Sequence, residues 1–189
     1  FDHQKEFLEY EGVSQIVDIH RFDPKYKKMP PANGFTWGYG DKEIFNNGLA
    51  FFPGTSENPQ LGIFQTVTSH DPYLVPERNF YLEKFEDHLE NNLKIADAKK
   101  QEYRDYQDVY MTILYADDAV HDFISAYSKK QEFANTIFVI TGDHRLPDIP
   151  MSSRLDRFHV PLIIYSPLIN RPNYFKGMSS HFEVTPSIL

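Results

Sequence analysis

Three short apolar runs stand out from an otherwise polar chain: residues 61–68 (LGIFQTVT), 136–141 (TIFVIT) and 160–166 (VPLIIYS). Each is rich in Ile, Val, Leu or Phe and bounded by turn residues, the pattern of strands covered on both faces. Residues 15–19 (QIVDI) form a weaker fourth example. Between the first two runs lies the clearest helical period, with Val109, Ile113, Ala116, Val120, Phe123 and Tyr127 recurring in steps of four and three. Asp118, Asp122, Ser125 and Lys129 fall on the opposite, solvated face. The spacing predicts a helix from about Tyr103 to Lys130 that leads into the second strand, half of a βαβ unit. Shorter helices are expected over residues 4–10 and 41–51, the latter with Asp41 as N-cap. Residues 71–102 are highly charged and read as a surface excursion with some helix. Thr185-Pro186 reads as an N-cap followed by Pro at the first helical position. Strands alternating with helices point to an α/β layered sheet.

Composition narrows the possibilities. With 19 Lys+Arg against 27 Asp+Glu, the net charge of −8 argues against nucleic-acid binding, which needs a cationic surface. Hydrophobic residues at 41% suffice for a core and exclude disorder as the main state. No run approaches the roughly 20 apolar residues of a membrane helix, so these residues need no membrane contact of their own. The absence of Cys excludes a disulfide scaffold, a Cys-ligated zinc site and a Cys nucleophile within these residues. There is no repeat, low-complexity stretch or linker, so residues 1–189 read as one unit. The lack of an initiator Met, and an end at Leu189 inside a helix start, lead us to expect a partial domain of a longer protein.

The chemistry-bearing residues collect after the strands. LGIFQTVT runs into Ser69-His70-Asp71-Pro72, and TIFVIT runs into Gly142-Asp143-His144-Arg145. In open α/β sheets, ligands bind outside the carboxyl ends of the strands. The adjacent carboxylate and imidazole of Asp143 and His144 suit zinc or manganese, and Gly142 leaves room for a sharp turn. The bland reading is a turn Asp capping local amides beside a surface His. His70 reads as a donor to an anionic substrate or a metal ligand, against a His that satisfies a neighbouring carbonyl. The turn Trp37-Gly38-Tyr39-Gly40-Asp41 offers a flat aromatic face and close backbone approach, against a core Trp and a capping Asp. His159 and His181 read first as structural histidines, with a supporting role at a site as the alternative. No Gly-x-Ser-x-Gly elbow, Gly-rich phosphate loop or His-Glu-x-x-His segment is present.

Taken in order, WGYGD, TVTSHDPY, YADDAVHDFI, NTIFVITGDHR, FHVPLIIYSP and SSHFEVTPSIL resemble the C-terminal part of the sulfatase-type domain of the alkaline phosphatase superfamily. The resemblance is nearest to the lipoteichoic acid synthase and phosphoglycerol transferase family, with arylsulfatases and phosphoethanolamine transferases as cousins. It implies a three-layer α/β sandwich with a mostly parallel central sheet, its N-terminal part missing here. It also implies a metal-dependent transferase or hydrolase of anionic phosphate or sulfate esters, lipid-linked ones included. There a Thr, or in sulfatases a modified Cys or Ser, attacks the ester. By the same resemblance Asp143 and His144 match metal ligands, for Mn²⁺ or Zn²⁺, or for Mg²⁺ or Ca²⁺ in a sulfatase. His70 matches a His facing the anionic group, and Trp37 and Asp41 match a turn near the headgroup. The nucleophile and first acidic ligand would fall ahead of Phe1, so these residues alone are expected to be inactive.

The sequence departs from the family pattern at Tyr39-Gly40, where some phosphoglycerol transferases carry a basic residue. It departs again at Glu183 for Asp and Arg145 for Gly. The resemblance further implies an extracytoplasmic domain of a multi-pass membrane protein. Two other readings stay open: an arylsulfatase-type hydrolase, and a non-catalytic glycan- or partner-binding domain that uses Trp37, Tyr39 and Tyr73.

Overall fold

In the computed structural model, which describes residues 3–52 and 58–188, the helices in chain order are α1 (Gln4–Tyr10), α2 (Asp41–Gly48), α3 (Arg78–Asp87), α4 (Asp97–Arg104), α5 (Gln107–Tyr127) and α6 (Val184–Ile188). Two strands, β1 (Phe138–Thr141) and β2 (Leu162–Tyr165), follow α5. α5 is the spine. Its first half packs on α3 in a cluster of Val75, Tyr81, Phe85, Leu89, Met111 and Tyr115. Its second half packs on α2 in a cluster of Phe45, Ala119, Phe123 and Tyr127, joined by Phe52, Phe64 and Phe138. The buried rings of Tyr81 and Tyr115 meet edge to face at 5.4 Å, a geometry that adds about 0.5–1.5 kcal/mol beyond area burial.

The helical period placed α5 correctly, but its buried face is rotated from the expected stripe. Thr112, Tyr115 and Ala119 are buried, whereas Ile113 is exposed. The reason is that α5 has partners on two sides, and small residues at 112 and 119 admit them closely. The expected single helix from Tyr103 is broken at Asp105-Tyr106, where α4 ends. That turn returns α4 toward α3, so that Arg104 donates to both Glu86 and Glu90. The expected surface excursion over residues 71–102 is a correction: Tyr81, Phe85 and Leu89, four apart on one helical face, are core residues.

Two of the three strong strands form, and they pair antiparallel, with Phe138 opposite Tyr165 and Thr141 opposite Leu162. The mostly parallel sheet is not found among the described residues. A parallel return needs a crossover of a dozen residues or more, usually a helix. The link between β1 and β2 holds only the short 3₁₀ turn Leu155–Phe158, and the chain doubles back. Neither strand is covered on both faces; β2 is exposed throughout. Residues 61–68 and 15–19 form no strand. In the former, Leu61 and Ile63 point to solvent while Phe64 inserts between Phe45, Phe52 and Phe123.

Helix ends also differ. Asp41 is the first residue of α2 and its side chain does not cap it. At the C-terminal end, Ser180 and Glu183 form a capping box over the 3₁₀ turn His181–Glu183, which leads straight into α6. Thr185 and Pro186 are therefore inside the helix. Phe1 and Leu189, the ends of the unit read from the sequence, lie outside the described residues.

Candidate functional site

The turn that carries Trp37 is built before any ligand is considered. Isolated bridges pair Lys28 with Tyr39 and Ala32 with Phe35, and Met29 N–H donates to the Gly38 carbonyl at 2.7 Å. Gly38 has φ 102°, a left-handed conformation that favours glycine. At Gly40 a Cβ would lie 2.5 Å from the Tyr115 hydroxyl, so only glycine lets the turn seat on α5. Tyr39 turns inward and stacks on Phe22 at 3.9 Å, which removes it from any ligand-facing surface.

Asp41, next in sequence, is fully buried at 0% exposure. Its Oδ1 accepts from Val67 N–H (3.1 Å), Thr68 N–H (3.0 Å) and the Thr68 hydroxyl (2.7 Å). Its own N–H donates to Thr68 Oγ1 at 3.2 Å. Burial pushes the Asp41 carboxyl above the usual carboxylate range, opposed by these hydrogen bonds. Oδ2 has no partner among the described residues. The side chain thus engages the 67–68 segment rather than a surface on which a headgroup could sit.

From Thr68 the chain turns twice. His70 N–H donates to the Val67 carbonyl (3.1 Å) and Tyr73 N–H to the His70 carbonyl (2.9 Å). The result sets His70 against Trp37, with ring centroids 4.5 Å apart, while Trp37 Nε1–H donates to the Asp71 carbonyl at 2.7 Å. On the far side the His144 ring lies 6.4 Å from that of His70, and Phe35 stands edge-on to Trp37 at 4.9 Å. The four rings make a continuous run, Phe35-Trp37-His70-His144.

Asp143 and His144 leave the end of β1, as the sequence placed them. Asp143 Oδ1 accepts from the His144 N–H at 2.9 Å and lies 3.9 Å from His144 Nε2. Both side chains are exposed, at 79% and 59%. His144 Nδ1 is 2.7 Å from the Arg145 carbonyl, and His70 Nδ1 is 3.0 Å from the Asp71 carbonyl. A carbonyl only accepts, so each Nδ1 carries the hydrogen and, in the neutral ring, each Nε2 carries the lone pair. A histidine held through Nδ1–H by a carbonyl is the arrangement that metal-ligating histidines adopt. The donor chemistry therefore fits a divalent cation at Asp143 and His144, which would supply two ligands. No group of three or more such donors assembles among the described residues.

Three residues singled out weakly or not at all from sequence belong to this edge. The Tyr73 hydroxyl donates to Asp148, tying the His70 loop to the loop after β1. Burial and that carboxylate push the Tyr73 hydroxyl far up, so it remains a donor at neutral pH. His181 Nε2 lies 3.3 Å from the Thr141 hydroxyl, at the base of the Asp143 turn. None of these contacts had a local signal, because partners 75 and 40 positions apart meet only in the fold.

Residues 4–189 match the family model described as Sulfatase. Lipoteichoic acid synthase from Staphylococcus aureus, strain USA300, is 27% identical over 141 residues, 74% of this chain and 20% of the relative. The same protein from strain N315 gives the same figures. The chain thus spans about a fifth of the length of the curated relatives it matches. A solved structure, a protein in the alkaline phosphatase superfamily from Vibrio parahaemolyticus, superposes with a TM-score of 0.57 at 22% identity. It covers 88% of this chain and 35% of its own, which shows a shared fold.

Proposed function

The chain belongs to the sulfatase family, and from that premise we propose that it forms part of a metal-dependent enzyme that transfers or hydrolyses an anionic phosphate or sulfate ester. The likeness to lipoteichoic acid synthase favours the phosphate ester, with a phosphoglycerol-like group on an envelope lipid or glycan as the substrate class. It equally favours an extracytoplasmic setting; no described helix is long and apolar enough to cross a membrane. The attacking hydroxyl belongs, in this reading, to residues ahead of Phe1.

The observation that carries the reading is the pair of imidazoles whose Nδ1–H groups are held by carbonyls. Of the two, His144 Nε2 remains for a ligand 3.9 Å from the Asp143 carboxylate, and the His70 ring lies 6.4 Å from that of His144. Asp143 and His144 would hold a divalent cation, Mn²⁺ or Zn²⁺ by donor type and Mg²⁺ or Ca²⁺ if the ester is a sulfate. An ion held there would supply the chemistry of lowering the pKa of a hydroxyl nucleophile and neutralising the ester oxygens. His70, when protonated, donates from Nε2 to an anionic oxygen of the ester. Trp37 supplies a flat wall against the leaving group, and its Nε1–H, spent on the Asp71 carbonyl, locks that wall to the His70 loop. Asp143 Oδ1, engaged by the His144 N–H, keeps the two ligands side by side.

The test is a metal-dependent thermal melt and an ester-transfer assay on the protein extended through the residues ahead of Phe1. Asp143→Ala and His144→Ala should each abolish stabilisation by the ion and lower activity by about 100-fold or more. Full activity in the Asp143→Ala protein overturns the reading. Parallel assays on phosphate and sulfate monoesters decide between the two chemistries.

A further inference from the structure

Both rings that face the proposed ligand, Trp37 and His70, hang from one buried carboxylate. Trp37 lies four residues before Asp41, on a turn seated against Tyr115 of α5 through Gly40. His70 lies two residues after Thr68, on a segment that has no strand neighbour to hold it. Its backbone is fixed instead by Asp41, whose Oδ1 takes three hydrogen bonds from Val67 and Thr68 while the Asp41 N–H returns one to the Thr68 hydroxyl. Thr68 is itself buried at 1% exposure, with its Oγ1 3.7 Å from Met29 Sδ. Met29 in turn donates its N–H to the Gly38 carbonyl in the Trp37 turn.

We infer that Asp41 and Thr68 are positioning residues: a buried carboxylate–hydroxyl latch that sets the His70 ring against Trp37 and beside the His144 ring. A segment of eight residues with an apolar sequence and no ladder would otherwise keep its backbone groups for solvent and its register undefined. The latch substitutes for the missing ladder at the one point where register matters, because Val67 O accepts the His70 N–H directly after it. A carboxylate does this where an apolar residue could not. Two consecutive N–H groups and a hydroxyl converge on one oxygen, and hydrogen bonds to a charged acceptor are about twice as strong as neutral ones. The purpose of the latch rests on the proposed function. Its geometry does not.

The experiment is NMR on the protein extended through the residues ahead of Phe1, with ¹³C-labelled His and Trp. The ring-current displacement of the His70 ring protons reads its distance from the indole, and His70→Gln identifies the signals. Far-UV circular dichroism monitors the fold in parallel. Thr68→Val keeps the volume and loses the hydroxyl; it should erase more than half of the His70 displacement without loss of helicity. Thr68→Ser keeps the hydroxyl and loses the methyl; it should retain the displacement. Asp41→Asn should reduce it in the same direction as Thr68→Val, and if that variant does not fold, the Thr68 pair decides. Any other pattern overturns the latch: displacement retained in Thr68→Val, or lost in Thr68→Ser, would assign Thr68 to packing alone. Because neither Asp143 nor His144 is altered and no turnover is measured, failure here leaves the ester-transfer assay to stand or fall separately.

Discussion

The helical region around α5 and the strand region after it obey opposite packing rules within one chain. Between Arg78 and Tyr127 most large apolar residues are inside, Phe80 and Ile113 being exposed, and the buried tyrosines Tyr81 and Tyr115 have partners for their hydroxyls. Tyr81 donates to Asp118 at 3.0 Å, and Tyr115 to Glu43 at 3.2 Å. Between Phe138 and Ile188 most apolar residues face outward, with Leu162, Ile163, Ile164, Tyr165, Phe175 and Phe182 all exposed, while Phe138 packs back on Phe123 and Tyr127. The site spans the seam. Trp37 and His70 are mounted on the helical side through Asp41, while Asp143 and His144 ride on β1. The comparison teaches that the two halves of the site have different mechanical support, and that the support, not the residue types, distinguishes them.

The sharpest way to break this contrast is a pair of large-to-small substitutions. Tyr115→Ala, at a residue 1% exposed, should cost about 3–5 kcal/mol in urea unfolding. Ile163→Ala, at a residue 52% exposed on β2, should cost less than about 1 kcal/mol. Equal losses would mean that the strand region is as well packed as the helical one. A smaller effect follows from polar satisfaction inside the helical region. Asp118→Ala leaves the hydroxyl of the fully buried Tyr81 without its acceptor and removes the partner of Lys84, for about 1–3 kcal/mol by the same measurement.

The smallest effect lies in the link between the strands and is read as local opening. Ser152 and Ser153 each donate an N–H and a hydroxyl to Asp156, and these four hydrogen bonds hold its carboxyl far below the usual range. A carboxyl depressed in the folded state contributes stability above its unfolded pKa, near 4, and loses it as pH falls through the folded value. Hydrogen exchange at the Ser153 amide should therefore show weakening protection as the pH is lowered below about 4. Asp156→Asn should flatten that dependence. The helical region, whose Arg104 ion pairs with Glu86 and Glu90 are partly exposed, should show added sensitivity to salt instead.

Much of the helical region was legible from the chain. α1 forms over the expected residues, and α5 follows from its apolar period because a helix buries whichever face its neighbours cover. The face itself was not legible: Thr112 is buried and Ile113 is not, a choice made by α2 and α3 packing from two sides. The core role of Tyr81, Phe85 and Leu89 was present in their spacing of four but masked by the surrounding charge.

At the site, the sequence by itself determined which chemical groups exist and that Asp143-His144 follows a strand, though not that His70 follows none. Asp143-His144 after β1 and His70 after Thr68 are one-dimensional facts that survive folding. Only the tertiary structure decided that β1 and β2 run antiparallel, that residues 61–68 make no strand, and that Tyr73 reaches Asp148. It alone turned Asp41 away from solvent and onto Thr68. The physical reason is range. Local pattern encodes periodicity and turn chemistry over a few residues, whereas the acceptor of a buried hydrogen bond or the partner of a strand is set by segments tens of positions away.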